Sequence, residues 1–211
     1  MFQTTQNEDY LNLCIERVKK DITLTWVEQF LDITEERCDT NLKLQLNDIG
    51  CNLGQFWKGL KTRNSQIDYT GFDIEEIYLE NARKIFPEKK EFFLLLDVTK
   101  EKPDLADITV VSATLEHFDD FAGILSNLLQ TTSKMFILRS FMGDRSEKAI
   151  FVKDQSGYYY INQYSFREIL ELFDKHGYKT TVVRDRYTDS MPKYIGKGIV
   201  RTQYIIVGEK I

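Results

Sequence analysis

The stretch Leu44-Gln45-Leu46-Asn47-Asp48-Ile49-Gly50-Cys51-Asn52-Leu53-Gly54 limits what this chain can fold into more than any other. Leu44, Leu46 and Ile49 supply apolar strand positions, and the strand must stop at a glycine-rich turn. Gly50 removes the Cβ where the chain reverses and where a ligand can touch backbone. Gly54 does the same at the entrance of a helix opening at Gln55-Phe56-Trp57. The N–H groups of such a turn and helix start attract an anionic or polar group. Asn52 sits at the centre of the turn, and asparagine is the non-glycine residue that best tolerates left-handed backbone.

Two common glycine motifs do not fit. A dinucleotide-binding G-x-G-x-x-G would need glycine at Asn52 and Gln55. A P-loop would need Gly-Lys-Ser/Thr where the chain has Gly54-Gln55-Phe56. Beyond the turn the hydrophobic pattern is regular. Strand-like runs at Ile67–Phe72, Glu91–Leu96, Ala106–Ser112 and Lys134–Leu138 alternate with helical patterns at Glu75–Phe86 and from Asp119 to about Leu129. The run Phe92-Phe93-Leu94-Leu95-Leu96 reads as a strand buried on both faces. Alternation of this kind demands an α/β fold with a parallel sheet and helices on both faces. Ligands then bind at the carboxyl ends of the strands. Gly50, Asp73, Asp97, Ser112 and Arg139 all fall at those ends.

Asp48-x-Gly50-x-x-x-Gly54 after a strand resembles motif I of the class I S-adenosylmethionine-dependent methyltransferases, with Asn52 in place of a middle glycine. Asp73 lies about 20 residues past the turn, at the end of the second strand, where an acidic residue accepts hydrogen bonds from a ribose diol. A plain N-cap for the next helix is the competing reading of Asp73. Asp97-Val98 and the Ser112 to His117 segment with its Leu115-Glu116-His117 also match the family. The resemblance covers roughly Leu44 to Leu138. It implies a Rossmann-like methyltransferase fold with a seven-stranded, mostly parallel sheet, and S-adenosyl-L-methionine as cofactor. The cofactor-binding residues it implies are Asp48, Gly50, Cys51, Asn52, Gly54, Asp73, Ile74, Asp97, Val98 and Ser112.

His117 is the candidate base, because imidazole titrates near neutrality, with Glu116 as the fallback carboxylate. Some relatives hold a divalent metal through Glu-x-x-Glu-His. Here the first position is Ala113, so no metal is expected. Arg139, Tyr159 and Arg186 are the candidate substrate contacts, suited to a phosphate, a carboxylate or a sugar-like ring.

The remaining segments dress this core. Asn7 to Ile33 reads as one helix carrying Leu11, Ile15, Val18 and Ile22, expected as a flap on the sheet edge, with a lid over the cofactor as the sharper alternative. Residues 141–163 contain a β-hairpin, with Ala149–Val152 and Tyr158–Ile161 around Asp154-Gln155-Ser156-Gly157. Tyr164 to His176 is helical, ended by Gly177. A long loop, 185–201, separates the last two strands. The whole, 1–211, is expected as a single domain, with 1–40 as the flap and 141–163 and 185–201 as substrate-side insertions.

A net charge of −5 argues against a general nucleic-acid binder. No apolar run is long enough to span a bilayer, and the first residues do not read as a signal peptide. Three cysteines without metal spacing suit reduced thiols in a cytoplasm. The expected activity is methyl transfer to an oxygen, less readily a nitrogen, of a small polar, anionic or sugar-like acceptor. The alternatives are a methyltransferase-fold binding subunit without catalysis, and a protein methyltransferase. A homodimer is compatible with this reading.

Overall fold

A computed structural model describes residues 8–20, 22–39, 42–153 and 157–211. The chain runs α1 (Glu8–Lys19), α2 (Thr25–Arg37), β1 (Gln45–Ile49), α3 (Gln55–Thr62), β2 (Asp68–Asp73), α4 (Glu76–Ile85), β3 (Phe93–Leu95), β4 (Ala106–Ser112), α5 (Phe121–Gln130) and β5 (Thr132–Gly143). It continues through β6 (Ile150–Lys153), β7 (Gly157–Tyr160), β8 (Tyr164–Ser165), α6 (Phe166–Lys175), β9 (Tyr178–Arg184), β10 (Lys193–Gly196), β11 (Ile199–Arg201) and β12 (Gln203–Lys210). Seven strands take the order β3-β2-β1-β4-β5-β12-β9, and β8 adds a short parallel pairing at the end of β5. The pairs β1–β2, β1–β4, β2–β3 and β4–β5 are parallel. β12 runs antiparallel between β5 and β9. This is the mostly parallel α/β sheet that the alternating sequence demands.

The period of two along the strands divides the core into two layers. In β5, Met135 and Ile137 join one layer, while Phe136 and Leu138 join the other. β12 repeats this with Ile205 and Val207 against Ile206. The first layer is closed by α1 to α4 through Val18, Phe30, Phe56 and Leu79. The second is closed by α5 and α6 through Leu125, Leu128, Ile169 and Phe173. Asp120 starts α5 by accepting from the N–H groups of Ala122 and Gly123.

Three local expectations change. The single N-terminal helix is two, because the backbone is extended at Leu24 (φ −68°, ψ 140°). Lys58 from α3 donates to the free carbonyls of Lys20 and Ile22 in the break, which satisfies groups a continuous helix would use itself. β3 is an edge strand rather than a doubly buried one: Leu94 is 42% and Leu95 59% exposed. Its apolar run is shortened by a 3-10 turn over Pro87–Phe92. The long connection after β9 is not structureless, since β10 and β11 pair within it as a hairpin. The expected hairpin at 150–160 forms as β6 and β7, and its turn, 154–156, lies outside the described residues.

Phe136 is fully buried, with its ring edge-on to Phe173 at 5.5 Å. Phe136→Ala should cost about 3–5 kcal/mol of unfolding free energy. Urea denaturation checks this, with the loss seen as a lower midpoint at unchanged slope.

Candidate functional site

A cavity of about 250 Å³ opens at the carboxyl ends of β1, β2 and β4. Its floor is the turn after β1. Gly50, Asn52 and Gly54 all take left-handed backbone, at φ 74°, 50° and 75°. The N–H groups of Gly50 and Cys51 both donate to the Phe72 carbonyl, at 2.8 and 2.9 Å, so the turn is sewn to β2. A Cβ at Gly50 would lie 2.1 Å from Thr114 Oγ1, which makes glycine a steric requirement as well as a conformational one. Gly54 meets Phe93 in the same way, at 2.7 Å, on the side away from the cavity lining.

Two carboxylates face this floor. Asp73 accepts from Asn52 N–H at 2.9 Å and from Glu75 N–H at 3.0 Å, so one side chain joins the turn after β1 to the start of α4. Burial pushes its pKa up to about 6 against these hydrogen bonds. Asp48 accepts from the Tyr69 hydroxyl at 2.8 Å. Its burial, reinforced by the nearby Asp73 charge, raises it to about 7. A carboxylate offers about four acceptor sites, so both can still receive donors from a ligand.

The wall beyond β4 holds His117, within a 3-10 turn over Leu115–His117. Its Nδ1 lies 2.7 Å from the Tyr160 carbonyl of β7. A carbonyl only accepts, so Nδ1 carries the proton and the lone pair of the neutral ring is on Nε2. Apolar walls come from Phe72, Leu96, Val98 and Phe118. Tyr10, Cys14 and Arg17 of α1 also line the cavity, as do Leu24 and Trp26. The N-terminal segment therefore packs on the core through Leu11, Ile15 and Val18 and also contributes to the cavity lining.

Of the residues singled out from sequence, Asp48, Gly50, Cys51, Asn52, Asp73, Ile74, Val98, Ser112, His117 and Arg139 line the one cavity. The others lie elsewhere. Asp97 turns back on its own chain, accepting from Thr99 and pairing with Lys100 at 2.7 Å. Glu116 is buried away from the cavity and accepts from the Ser140 hydroxyl at 2.8 Å. Tyr159 stacks on Phe151, 5.5 Å between ring centres, within the hairpin. Arg186 pairs with Asp32 of α2.

Arg139 reaches the cavity but is already engaged. Nε and Nη2 meet Asp185 at 3.0 and 3.1 Å, and Nη2 also donates to Gln203 at 2.6 Å. This buried fork keeps the Asp185 carboxyl below its usual range and positions Tyr187, whose ring lies 5.4 Å from the guanidinium carbon. Tyr187, Cys14 and Arg17 are additions to the expected site, whereas Tyr10 and Trp26 belong to the lid alternative. Tyr10, Cys14 and Arg17 carried a readable signal, an i, i+4, i+7 spacing beside the apolar stripe of Leu11, Ile15 and Val18. Tyr187 carried none. Among the described residues, no group of three or more His, Cys, Asp or Glu could hold a metal, and no helix is long and apolar enough to cross a membrane.

A family described as "Methyltransferase domain" matches residues 47–133. A curated relative, the malonyl-[acyl-carrier protein] O-methyltransferase of Acetivibrio thermocellus, is 31% identical over 94 residues, which is 44% of this chain and 33% of that protein. The matched stretch thus spans about a third of the relative's length. An S-adenosylmethionine-dependent methyltransferase structure from Clostridium acetobutylicum aligns over 96% of this chain and 98% of that one, with a TM-score of 0.64 at 12% identity. The N-terminal domain of EvdMO1, solved in the presence of SAH and D-fucose, aligns over 98% of both chains, with a TM-score of 0.66 at 10% identity. The match to the methyltransferase domain thus covers residues 47–133, and the chain as a whole has the fold of these methyltransferase structures.

The raised carboxyls also shape stability. Between about pH 4 and 7 the folded chain keeps protons on Asp48 and Asp73 that the unfolded chain has released, so these groups lower stability as pH rises through that window. Asp48→Asn should flatten this fall. The check is the difference between wild-type and variant unfolding free energies from pH 4 to 8, in which titrations not coupled to Asp48 cancel.

Proposed function

We propose that this protein binds S-adenosyl-L-methionine in the cavity at the strand ends and transfers its methyl group to an oxygen of a small polar acceptor. The observation that carries this reading is the joining of the left-handed turn at Gly50–Gly54 to Asp73 by the hydrogen bond from Asn52 N–H. A left-handed turn with glycine at both ends, next to a carboxylate at the end of the second strand, suits close contact with a nucleoside and its amino-acid tail. The cofactor, when bound, supplies an electrophilic methyl on its sulfonium.

The chain's own residues do the rest. Asp73 receives the ribose hydroxyls, and Phe72, Leu96 and Val98 form a slot for the purine. Asp48 receives the ammonium of the amino-acid end. The aromatic faces of Phe118, Trp26 and Tyr187 exclude water from the transfer space. His117, held in its Nδ1–H form by the Tyr160 carbonyl, takes the proton of a hydroxyl acceptor on Nε2. Arg139 contributes by setting Tyr187 rather than as a free cation, which favours a polar or carboxylate oxygen over a phosphorylated acceptor.

Calorimetry with S-adenosylmethionine and S-adenosylhomocysteine tests the cofactor. Both should bind, and Asp73→Ala should weaken both by at least about tenfold. A folded wild-type chain that binds neither would return the chain to a binding role without its own catalysis. Acceptor screening tests the base. With a hydroxyl acceptor, His117→Asn should lower kcat by about 100-fold or more at unchanged cofactor affinity. With a carboxylate acceptor, which has no proton to lose, kcat should be unaffected.

A further inference from the structure

Arg201 closes β11 almost fully enclosed, at 4% exposure, yet its guanidinium is only half used. Nη1 pairs with Glu147 at 2.9 Å and donates to the Val200 carbonyl at 3.0 Å. Nε is buried without any partner, and Nη2 makes no hydrogen bond within the described residues. Nε and Nη2 form one edge of the guanidinium, and such an edge grips a carboxylate through two parallel hydrogen bonds. Arg139 shows this in the same chain: its Nε and Nη2 hold the two oxygens of Asp185 at 3.0 and 3.1 Å. A buried N–H without an acceptor is costly, so the unpartnered edge of Arg201 calls for an acceptor from outside the chain.

The local charge favours an anion for that acceptor. Glu147 is already shared, its other oxygen accepting from Arg145 at 2.7 Å. Lys193 of β10 is the direct cross-strand partner of Arg201, so the two side chains leave the same face of the hairpin. Lys193 is exposed and has no carboxylate partner among the described residues. Like charges directly opposed across a strand pair are destabilising, and an anion set between them removes that cost. The place also bears on the cavity. Gln203 lies two positions on, roughly 7 Å of extended backbone away, and accepts from Arg139, which lines the cavity. Among the described residues, β10 and β11 pair only with each other, so this hairpin can shift to admit a ligand without breaking the main sheet.

We infer that the Nε–Nη2 edge of Arg201, with Lys193 beside it, is a carboxylate-binding subsite just outside the cavity, and that it holds a carboxylate of the acceptor remote from the oxygen that is methylated. The subsite stands on its own contacts. Only its assignment to the acceptor rests on the proposed methyl transfer.

The Nε–H proton resonances of arginine read this edge directly, and the Arg201 signal is the one missing from Arg201→Gln. In the full chain, titration with succinate should shift that signal saturably. Lys193→Ala should weaken the succinate affinity about threefold or more. Arg167→Ala, exposed on α6, should leave it unchanged. An unshifted signal, a shift that chloride reproduces at equal ionic strength, or a response to inorganic phosphate but not to succinate overturns the subsite, whether or not S-adenosylhomocysteine binds. A chain that answers succinate but binds no S-adenosylhomocysteine keeps the subsite and overturns the methyl-transfer reading. In acceptor screening, Arg201→Gln should raise KM by about 10- to 100-fold for an acceptor with a second carboxylate, rather than lower kcat. An equal loss with acceptors that lack this carboxylate overturns the assignment to the acceptor.

Discussion

Asp73 is the tie on which the site depends. Its two oxygens accept from Asn52 and Glu75, so one carboxylate fixes the left-handed turn after β1 against the start of α4. The Phe72 carbonyl completes the seam by accepting from Gly50 and Cys51. Gly50 has no room for a side chain because Thr114, just after β4, fills the space. Three strand ends are thereby locked into one wall. Burial raises both Asp48 and Asp73, so this wall has a charge that responds to pH and to any cation placed against it.

Around that wall, the β6–β7 hairpin and the connection after β9 serve as buttresses as well as boundaries. The β6–β7 hairpin reaches back to set the His117 tautomer through the Tyr160 carbonyl. Asn162 and Tyr164 hold the carbonyl of Phe118, and Tyr164 also holds that of Leu115. The connection after β9 is pinned by the Arg139–Asp185 fork, which carries Tyr187 to the cavity. Removing one partner of such a buried pair leaves an uncompensated charge, so the fork acts as a structural constraint first.

The strand-turn-helix at Leu44–Gly54 was legible because its signals are local. Glycine and asparagine declare left-handed backbone within a few residues, and the structure gives Asn52 a φ of 50°. Strand and helix alternation from Leu44 to Leu138 announced the parallel sheet for the same reason. The break between α1 and α2 was not legible, since it is held by Lys58, more than thirty residues away. Burial of β3 was misjudged because an apolar run does not say whether its strand is central or at an edge.

By itself, the sequence determined the fold class, the position of the turn and the strand ends at which a ligand must bind, because these arise from backbone preference and hydrophobic period. Only the tertiary structure decided which charges were free to meet a ligand. Arg139 was claimed by Asp185, 46 positions away, and Arg186 by Asp32, 154 positions away. Glu116 was turned to Ser140, and Arg17 was brought to the cavity without a carboxylate of its own among the described residues. Side-chain pairing is a long-range event set by packing, and no local pattern in the chain encodes it.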